Sequence, residues 1–422
     1  MDGVSGWANP WAWLFWLGCA VIVYTYAGYG LLVYLWLRLR RKPAAPIPPP
    51  SPADLPPLTL IVPAYNEGDI LLAKWANCVE LQYPRERLEV VFVTDGSTDG
   101  SEHLLREQVV PAGLRLRVLH QPERRGKLAA VERVMPLVTT PVTVFSDANA
   151  LLNRKALVNL VKHYADPAPG PGIGPEIGAV AGEKRVHFAA SAGAEGVGEG
   201  VYWRYESLLK RLDAQLYSVV GAAGELFSIR TALYESPPPD TLIEDFYLSL
   251  RIAMQGRRVA YAPDAYAVEG HSASLAEELK RKVRIAAGGL QAVARLRGLL
   301  NPLRYGVLSF QYVSHRVLRW TLAPLLLPLV LLANAVLAAQ EAAQQAGQQA
   351  GPGGWLYRTL LAAQIGFYAA ALCGLLLEQL GRRVKVFYIP LYFCLMNYAV
   401  YAGAWRLLRG RQSAVWDKAQ RA

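Results

Sequence analysis

The sequence predicts an α/β protein: a doubly wound, Rossmann-like sheet joined to transmembrane helices. Three observations carry this reading. Short buried-strand patterns alternate with helical ones from Leu58 to Phe145, the rhythm of βα units. Three of those strands break at once into loops carrying acidic side chains, and open α/β sheets bind ligands beyond the carboxyl ends of their strands. Long apolar runs flank the region on both sides.

The bulk properties agree. A chain of 422 residues with 53% hydrophobic content has room for one large domain and a membrane part. Its net charge of +11 clusters beside the apolar runs (Arg38, Arg40, Arg41 and Lys42; Arg382, Arg383 and Lys385; Arg406, Arg409 and Arg411). That is a juxtamembrane pattern and argues against a nucleic-acid partner. Cys19, Cys78, Cys373 and Cys394 have neither disulfide nor zinc spacing.

In chain order, Trp11–Leu37 is apolar throughout, rich in Trp and Tyr, and ends in the first basic cluster. It reads as a retained anchor whose C-terminal end is cytoplasmic. Residues 43–57 form a proline-rich spacer. LTLIVP (58–63) is a strand leaving through Ala64-Tyr65-Asn66-Glu67-Gly68, and 71–81 a helix. LEVVFVT (88–94) is a strand breaking into Asp95-Gly96-Ser97-Thr98-Asp99-Gly100-Ser101. A helix over 101–109 and a strand over 115–119 follow. Arg124-Arg125-Gly126-Lys127 then opens a helix to Met135. VTVF (142–145) is the next strand and surfaces at Ser146-Asp147-Ala148-Asn149. Expected next are Gly/Pro-rich loops at 167–178 and 189–200 around a strand at 179–187. A helix at 201–217, a Gly221-Ala222-Ala223-Gly224 turn, a strand at 226–229 and a helix at 242–255 complete a domain over 58–270. Interface helices are expected over 271–316, including a basic amphipathic one at 273–299, and membrane spans at 317–339, 359–377 and 386–405. The polar stretch 341–354 reads as an external loop. The basic clusters on both sides of the last span conflict if every span crosses once.

The strand-exit residues suit chemistry on a phosphorylated ligand. Lys127 offers a cation at a helix N-terminus, although a solvated basic turn has the same residues. The DGSTDGS stretch also reads as a turn with a helix N-cap at Ser101. Glu244 and Asp245 open a helix, where acids also complement the helix dipole. His271 and Trp203 are further candidates, His271 reading more simply as a loop residue.

Taken in order, AYNEGD (64–69), TDGSTDGS (94–101), RRGK (124–127), SDAN (146–149) and IED (243–245) resemble the family-2 inverting glycosyltransferases with the GT-A fold. In general layout the likeness is to the membrane cellulose, hyaluronan and poly-N-acetylglucosamine synthases. It covers about residues 58–320.

This resemblance implies site roles. Ala64, Tyr65, Glu67 and Asp95 would bind the nucleoside of the donor, and Lys127 its phosphates. Asp147 matches the first Asp of a DxD motif whose second position is here Asn149, and the pair would ligate Mg²⁺ or Mn²⁺. Glu244-Asp245 matches the acidic pair of a TED motif, with Asp245 as general base. Arg281-Lys282-Val283-Arg284-Ile285 stands where processive synthases carry QxxRW, so Arg281 and Arg284 would meet the diphosphate. Ile285 stands in place of the Trp. A second match, RVLRW (316–320), abuts a span, where Arg and Trp also serve as interfacial anchors.

The expected function is transfer of a sugar with inversion from a nucleotide-sugar, UDP-linked, to a glycan acceptor in exopolysaccharide synthesis. The site would face the cytoplasm at the plasma (inner) membrane. A single transfer to a lipid-linked acceptor is the alternative, and a non-catalytic membrane scaffold a more distant one.

Overall fold

The computed structural model describes residues 9–40, 50–164, 176–187, 194–270, 274–347, 355–382 and 384–410. Residues 43–49 of the proline-rich spacer, 167–175 and 189–193 of the two Gly/Pro-rich loops, the end of the polar 341–354 stretch, His271, Arg41, Lys42, Arg383 and Arg411 lie outside the described residues.

Eight strands form one sheet: β1 (Leu58–Ala64), β2 (Leu88–Asp95), β3 (Arg115–Gln121), β4 (Val142–Phe145), β5 (Leu151–Leu152), β6 (Ile177–His187), β7 (Phe227–Arg230) and β8 (Arg258–Gly270), in the order β3-β2-β1-β4-β7-β6-β8-β5. β1, β2 and β4 are buried along their whole length, which is why they read as unbroken apolar runs. The pairs β1–β2, β1–β4 and β2–β3 are parallel. Beyond β4 the sheet is mixed. β7 runs antiparallel to both β4 and β6, β6 pairs parallel with β8, and β5 is antiparallel to β8. The α/β class therefore stands, while the wholly parallel sheet expected from the βα rhythm is confined to its first half. β8, in a stretch given no element from the sequence, is a long strand. Pro263 and Asp264 interrupt its alternation and hid it.

Helices cover both faces. Leu71, Trp75 and Cys78, on the helix Gly68–Val79, pack on one side with Leu60 and Phe92. Val131, Phe246 and Leu250 pack on the other with Ile61 and Val91. The helix expected over 273–299 runs Leu275–Arg295, capped by Ser274, whose hydroxyl accepts from Glu277 N–H at 3.2 Å. Much of it packs inside the protein. Val283, Ala286, Ala287 and Ala292 are buried, and Gly403 of the last helix lies so close that a Cβ there would meet Val283 O at 2.9 Å.

Four helices are long and apolar enough to cross a membrane: Pro10–Arg40, Leu322–Gln345, Leu356–Gln379 and Lys385–Leu408. The first three pack side by side. Asn9 Nδ2 donates to Gln340 Oε1 at 2.7 Å, and Phe15 stacks edge-on with Tyr357. The fourth packs on all three. Gly374 of the third helix abuts Phe387 O, Tyr26 of the first donates to Asn397 Oδ1 at 2.6 Å, and Tyr401 donates to Pro324 O at the start of the second at 2.6 Å. Tyr26 lies sixteen residues into its helix, about 24 Å from Pro10 at 1.5 Å per residue. Tyr26 lies near the middle of its helix, Pro324 at the start of the second and Gly374 toward the end of the third, and Lys385–Leu408 also packs beside the helix Leu275–Arg295.

Candidate active site

The site is a cleft at the carboxyl ends of β1, β2 and β4, lined by Ala64, Tyr65, Glu67, Asp95, Lys127 and Asp147 among others. Two loops are locked together at its rim. Asn66 adopts a positive φ of 49° and its Oδ1 accepts from Thr98 N–H at 2.8 Å. Asp99 accepts from Gly68 N–H at 2.9 Å and from Ser101 N–H at 3.1 Å. Burial alone would raise the Asp99 carboxyl, but these bonds hold it below its ordinary value. Asp99 is thus a brace between AYNEG and DGSTDGS, a role that motif order alone did not separate from that of Asp95.

Asp95 fastens the next loop. Its Oδ2 accepts from Arg125 N–H at 2.9 Å and Gly126 N–H at 2.6 Å, and its Oδ1 from Arg133 at 2.9 Å. Gly96, at φ +70°, lets the loop pass, since a Cβ there would sit 2.5 Å from Arg124 Cβ. Arg124 in turn lies 3.6 Å over the ring of Tyr65.

Lys127 is the centre of charge. Its Nζ lies 2.7 Å from Asp147 Oδ1 and 2.8 Å from Glu244 Oε1. Burial would depress its pKa, but Asp147, Glu244 and Asp245 hold it well above the usual range. Asp147 is raised by burial, with Lys127 opposing and Glu269 and Glu225 adding to the rise. Glu244 is lowered: burial pushes it up, and Lys127 and then Arg284 outweigh that. Asp245 is pushed up to about 7 by burial and by the neighbouring Glu244. One carboxylate of the IED pair is therefore held ionised and the other poised near neutrality, the division of labour that general-base chemistry needs. The GAAG turn makes the approach possible. A Cβ on Gly224 would lie 3.1 Å from Lys127 Nζ and 3.5 Å from Asp245 Oδ2.

Ala64, Tyr65, Glu67, Asp95, Lys127, Asp147 and Asn149 thus share one cleft, and Lys127 ties it to Glu244 and Asp245. Arg281 and Arg284 do not line that cleft. Both lie on Leu275–Arg295. Arg281 pairs with Glu278 at 2.7 Å, and Arg284 donates to Leu242 O at 3.1 Å, behind the IED turn. Trp203 lies outside the cleft, its ring 4.9 Å from Lys184 Nζ.

Two buried lysines escaped sequence reasoning. Lys74 donates to Ser146 Oγ at 2.8 Å and to Ala150 O, and so pins SDAN from below; burial depresses it to about 8. Lys184 pairs with Glu225 and, at 2.7 Å, with Glu269, the two acids that press on Asp147. A lysine among Leu71, Trp75 and Cys78 was a visible signal for the first. The second depends on three segments distant in sequence.

Asp147 and Asn149 offer two oxygen donors that would hold a divalent cation if phosphate oxygens completed its shell, while Asp147 already meets Lys127, and Glu225 and Glu269 are paired with Lys184. Among the described residues, no group of three or more His, Cys, Asp or Glu is placed to hold a metal.

Residues 56–288, more than half of the chain, match the family described as glycosyltransferase like family 2. The chain belongs to glycosyltransferase family 2. Residues 185–401 also match the glycosyl transferase family group 2. This family-2 chain is 22% identical over 249 residues to the poly-beta-1,6-N-acetyl-D-glucosamine synthase of Staphylococcus aureus strain MSSA476, the match covering 57% of each chain. The chain thus spans just over half the length of that curated relative. It is 30% identical over 110 residues to the beta-monoglucosyldiacylglycerol synthase of Nostoc sp., over 26% of this chain and 23% of that one. Its fold matches a mannosyltransferase from Pyrobaculum calidifontis, solved with GDP-Man and Mn²⁺, at a TM-score of 0.67 and 25% identity, over 94% of this chain and 99% of that one. The GT-A-like fold and the membrane helices expected of the family are thereby both present.

Proposed function

We propose that this glycosyltransferase moves a hexosyl group, with inversion, from a nucleoside diphosphate-sugar to an acceptor hydroxyl at the membrane. The observation that carries this is Asp245, a buried carboxylate pushed up to about 7 beside an ionised Glu244 and the Lys127–Asp147 pair.

In the reaction the acceptor O–H attacks the anomeric carbon opposite the leaving diphosphate. Asp245 takes the proton, the new C–O bond forms, and the bond to the diphosphate breaks. Tyr65, Glu67 and Asp95 would line the nucleoside, and Lys127 would stabilise charge building on the diphosphate. Mg²⁺ or Mn²⁺, held by Asp147 and Asn149 with the donor's own phosphates, would supply further charge neutralisation. Arg284 supports Glu244 electrostatically; a direct role for it or for Arg281 on the diphosphate requires movement of their helix.

The sequence reading favours a UDP-sugar and a polysaccharide product. A second donor, GDP-mannose, is favoured by the full-length likeness to the archaeal mannosyltransferase. The placement proposed is the plasma (inner) membrane with the catalytic domain cytoplasmic, supported by Arg38 and Arg40 at the end of the first apolar helix. The test is a panel of UDP- and GDP-sugars offered to the full-length protein with native membrane lipids, followed by mass analysis of the product. The proposal predicts nucleoside diphosphate release with one donor and a product heavier by whole hexosyl units. Absence of transfer from every donor in the presence of Mg²⁺ or Mn²⁺ would overturn it.

A further inference from the structure

A second cavity, of about 330 Å³, lies between the catalytic domain and the membrane helices. One wall is a single face of Lys385–Leu408, presenting Ile389, Phe393, Met396 and Val400 at helical spacing. The same helix packs on Leu275–Arg295, where Gly403 abuts Val283 and Ala287, so this apolar wall stands beside the catalytic domain.

The opposite wall is cationic. Lys282, Arg316 and Arg319 line it. Lys282 pairs with Glu278 at 3.5 Å, and Glu206 is the buried counter-charge of both arginines: Arg316 reaches it at 2.9 Å, and Arg319 binds its other oxygen through Nη1. The Nε and Nη2 of Arg319 are buried and find no hydrogen-bond partner among the described residues. These two N–H groups form the edge of a guanidinium that receives an oxyanion in a bidentate fork. Leaving them unsatisfied in an apolar setting is costly.

The cavity also adjoins the catalytic machinery. Trp320, on its wall, packs edge-on against Phe246 at 5.2 Å between ring centroids, and Phe246 directly follows Asp245. Trp320 lies over Gly289, where a Cβ would strike its ring at 2.5 Å, so that glycine is what admits the indole beside the base.

We propose that this cavity is the acceptor site and that the acceptor is carried on a phosphate-bearing lipid. The phosphate meets Arg319, Arg316 and Lys282, and the hydrocarbon chain leaves along Ile389, Phe393 and Met396. The saccharide passes Trp320 toward Asp245. This assignment rests on the glycosyltransferase reading and names its acceptor class.

The test uses geranylgeranyl phosphate as probe, with geranylgeraniol and dioleoylphosphatidylglycerol as controls. Binding to the full-length protein in neutral detergent is read by native mass spectrometry, and UDP and GDP binding with Mn²⁺ is measured on the same samples. The phosphate is expected to form one saturable adduct at least about tenfold tighter than either control, the scale of one lost charge-assisted contact. Arg319→Gln should weaken it by a similar factor. Met396→Trp, which fills the apolar wall and leaves the Glu206 pairs intact, should do the same. Equal binding of the alcohol would overturn the assignment, as would equal binding of the phospholipid, which marks a bulk-lipid site, or unchanged affinity in both variants. If the wild-type protein binds the lipid phosphate but neither nucleotide, the donor reading fails while the cavity assignment stands.

Discussion

Lys127 Nζ sits 2.7 Å from Asp147 Oδ1, so the carboxylate expected to face a metal ion already faces a cation supplied by the chain. The same ammonium reaches Glu244 at 2.8 Å, and one side chain thereby links the cleft at the strand ends to the acidic pair that includes Asp245, the proposed base. Removing it leaves two buried carboxylates without their counter-charge. Lys127→Met is therefore expected to lower kcat/KM by about a hundredfold or more, the scale of losing one preorganised electrostatic contact. Steady-state kinetics of nucleotide release check this, with a raised donor KM expected as well.

The raised pKa of Asp245 fixes the direction of the pH profile. The base must be ionised to accept a proton, so kcat/KM should climb with pH, with unit slope below about 7, and level off above it. The stability effect has the opposite sign. The folded pKa lies above the unfolded one, so the fold holds this proton more tightly and loses stability as pH rises toward about 7. Asp245→Asn, which removes the buried charge, should raise the Tm at pH 8 and change it little at pH 4. Thermal unfolding at the two pH values is the check.

Two glycines in the GAAG turn should behave differently. Gly221, at φ +88°, faces Phe246, and a Cβ there would lie 2.1 Å from the ring. Gly221→Ala combines backbone strain with overpacking and should cost about 2–4 kcal/mol in denaturant unfolding. Gly224 faces the flexible end of Lys127 instead. Gly224→Val should leave the fold intact and reduce turnover about tenfold or more by displacing Lys127 and Asp245.

The path of Lys385–Leu408 bears on membrane topology. If it passes across the ends of the other three helices, the basic residues on either side of it, Arg382 and Arg409, share one face of the membrane. The conflict in the charge pattern then disappears. Single-cysteine variants Arg382→Cys and Arg409→Cys, in a background without the native cysteines, are expected to react with an impermeant maleimide from the same side. Labelling from opposite sides would show a fourth crossing.

The cleft proposed as the donor site was legible as one cluster because its signals are local. β1, β2 and β4 are continuous buried runs, and each ends at the loop that carries the chemistry, at Tyr65, Asp95 and Asp147. The side proposed for the acceptor was less so because it is assembled by packing. Trp320 reaches the neighbourhood of Asp245 from a segment 75 residues further on, by lying over Gly289. Lys184 meets Glu225 and Glu269 only when β6, the turn before β7 and β8 come together. Arg281 was placed on the donor by its motif position, yet Glu278 stands three residues before it on the same helix face and holds it.

Asp245 as the base is decided by comparing nucleotide release by the wild-type protein and Asp245→Asn, with donor binding measured on the same samples. Release is expected to fall at least about a thousandfold, within the range known for loss of an essential acid–base group, while donor affinity stays within a few-fold. Turnover by Asp245→Asn at a wild-type rate would contradict it.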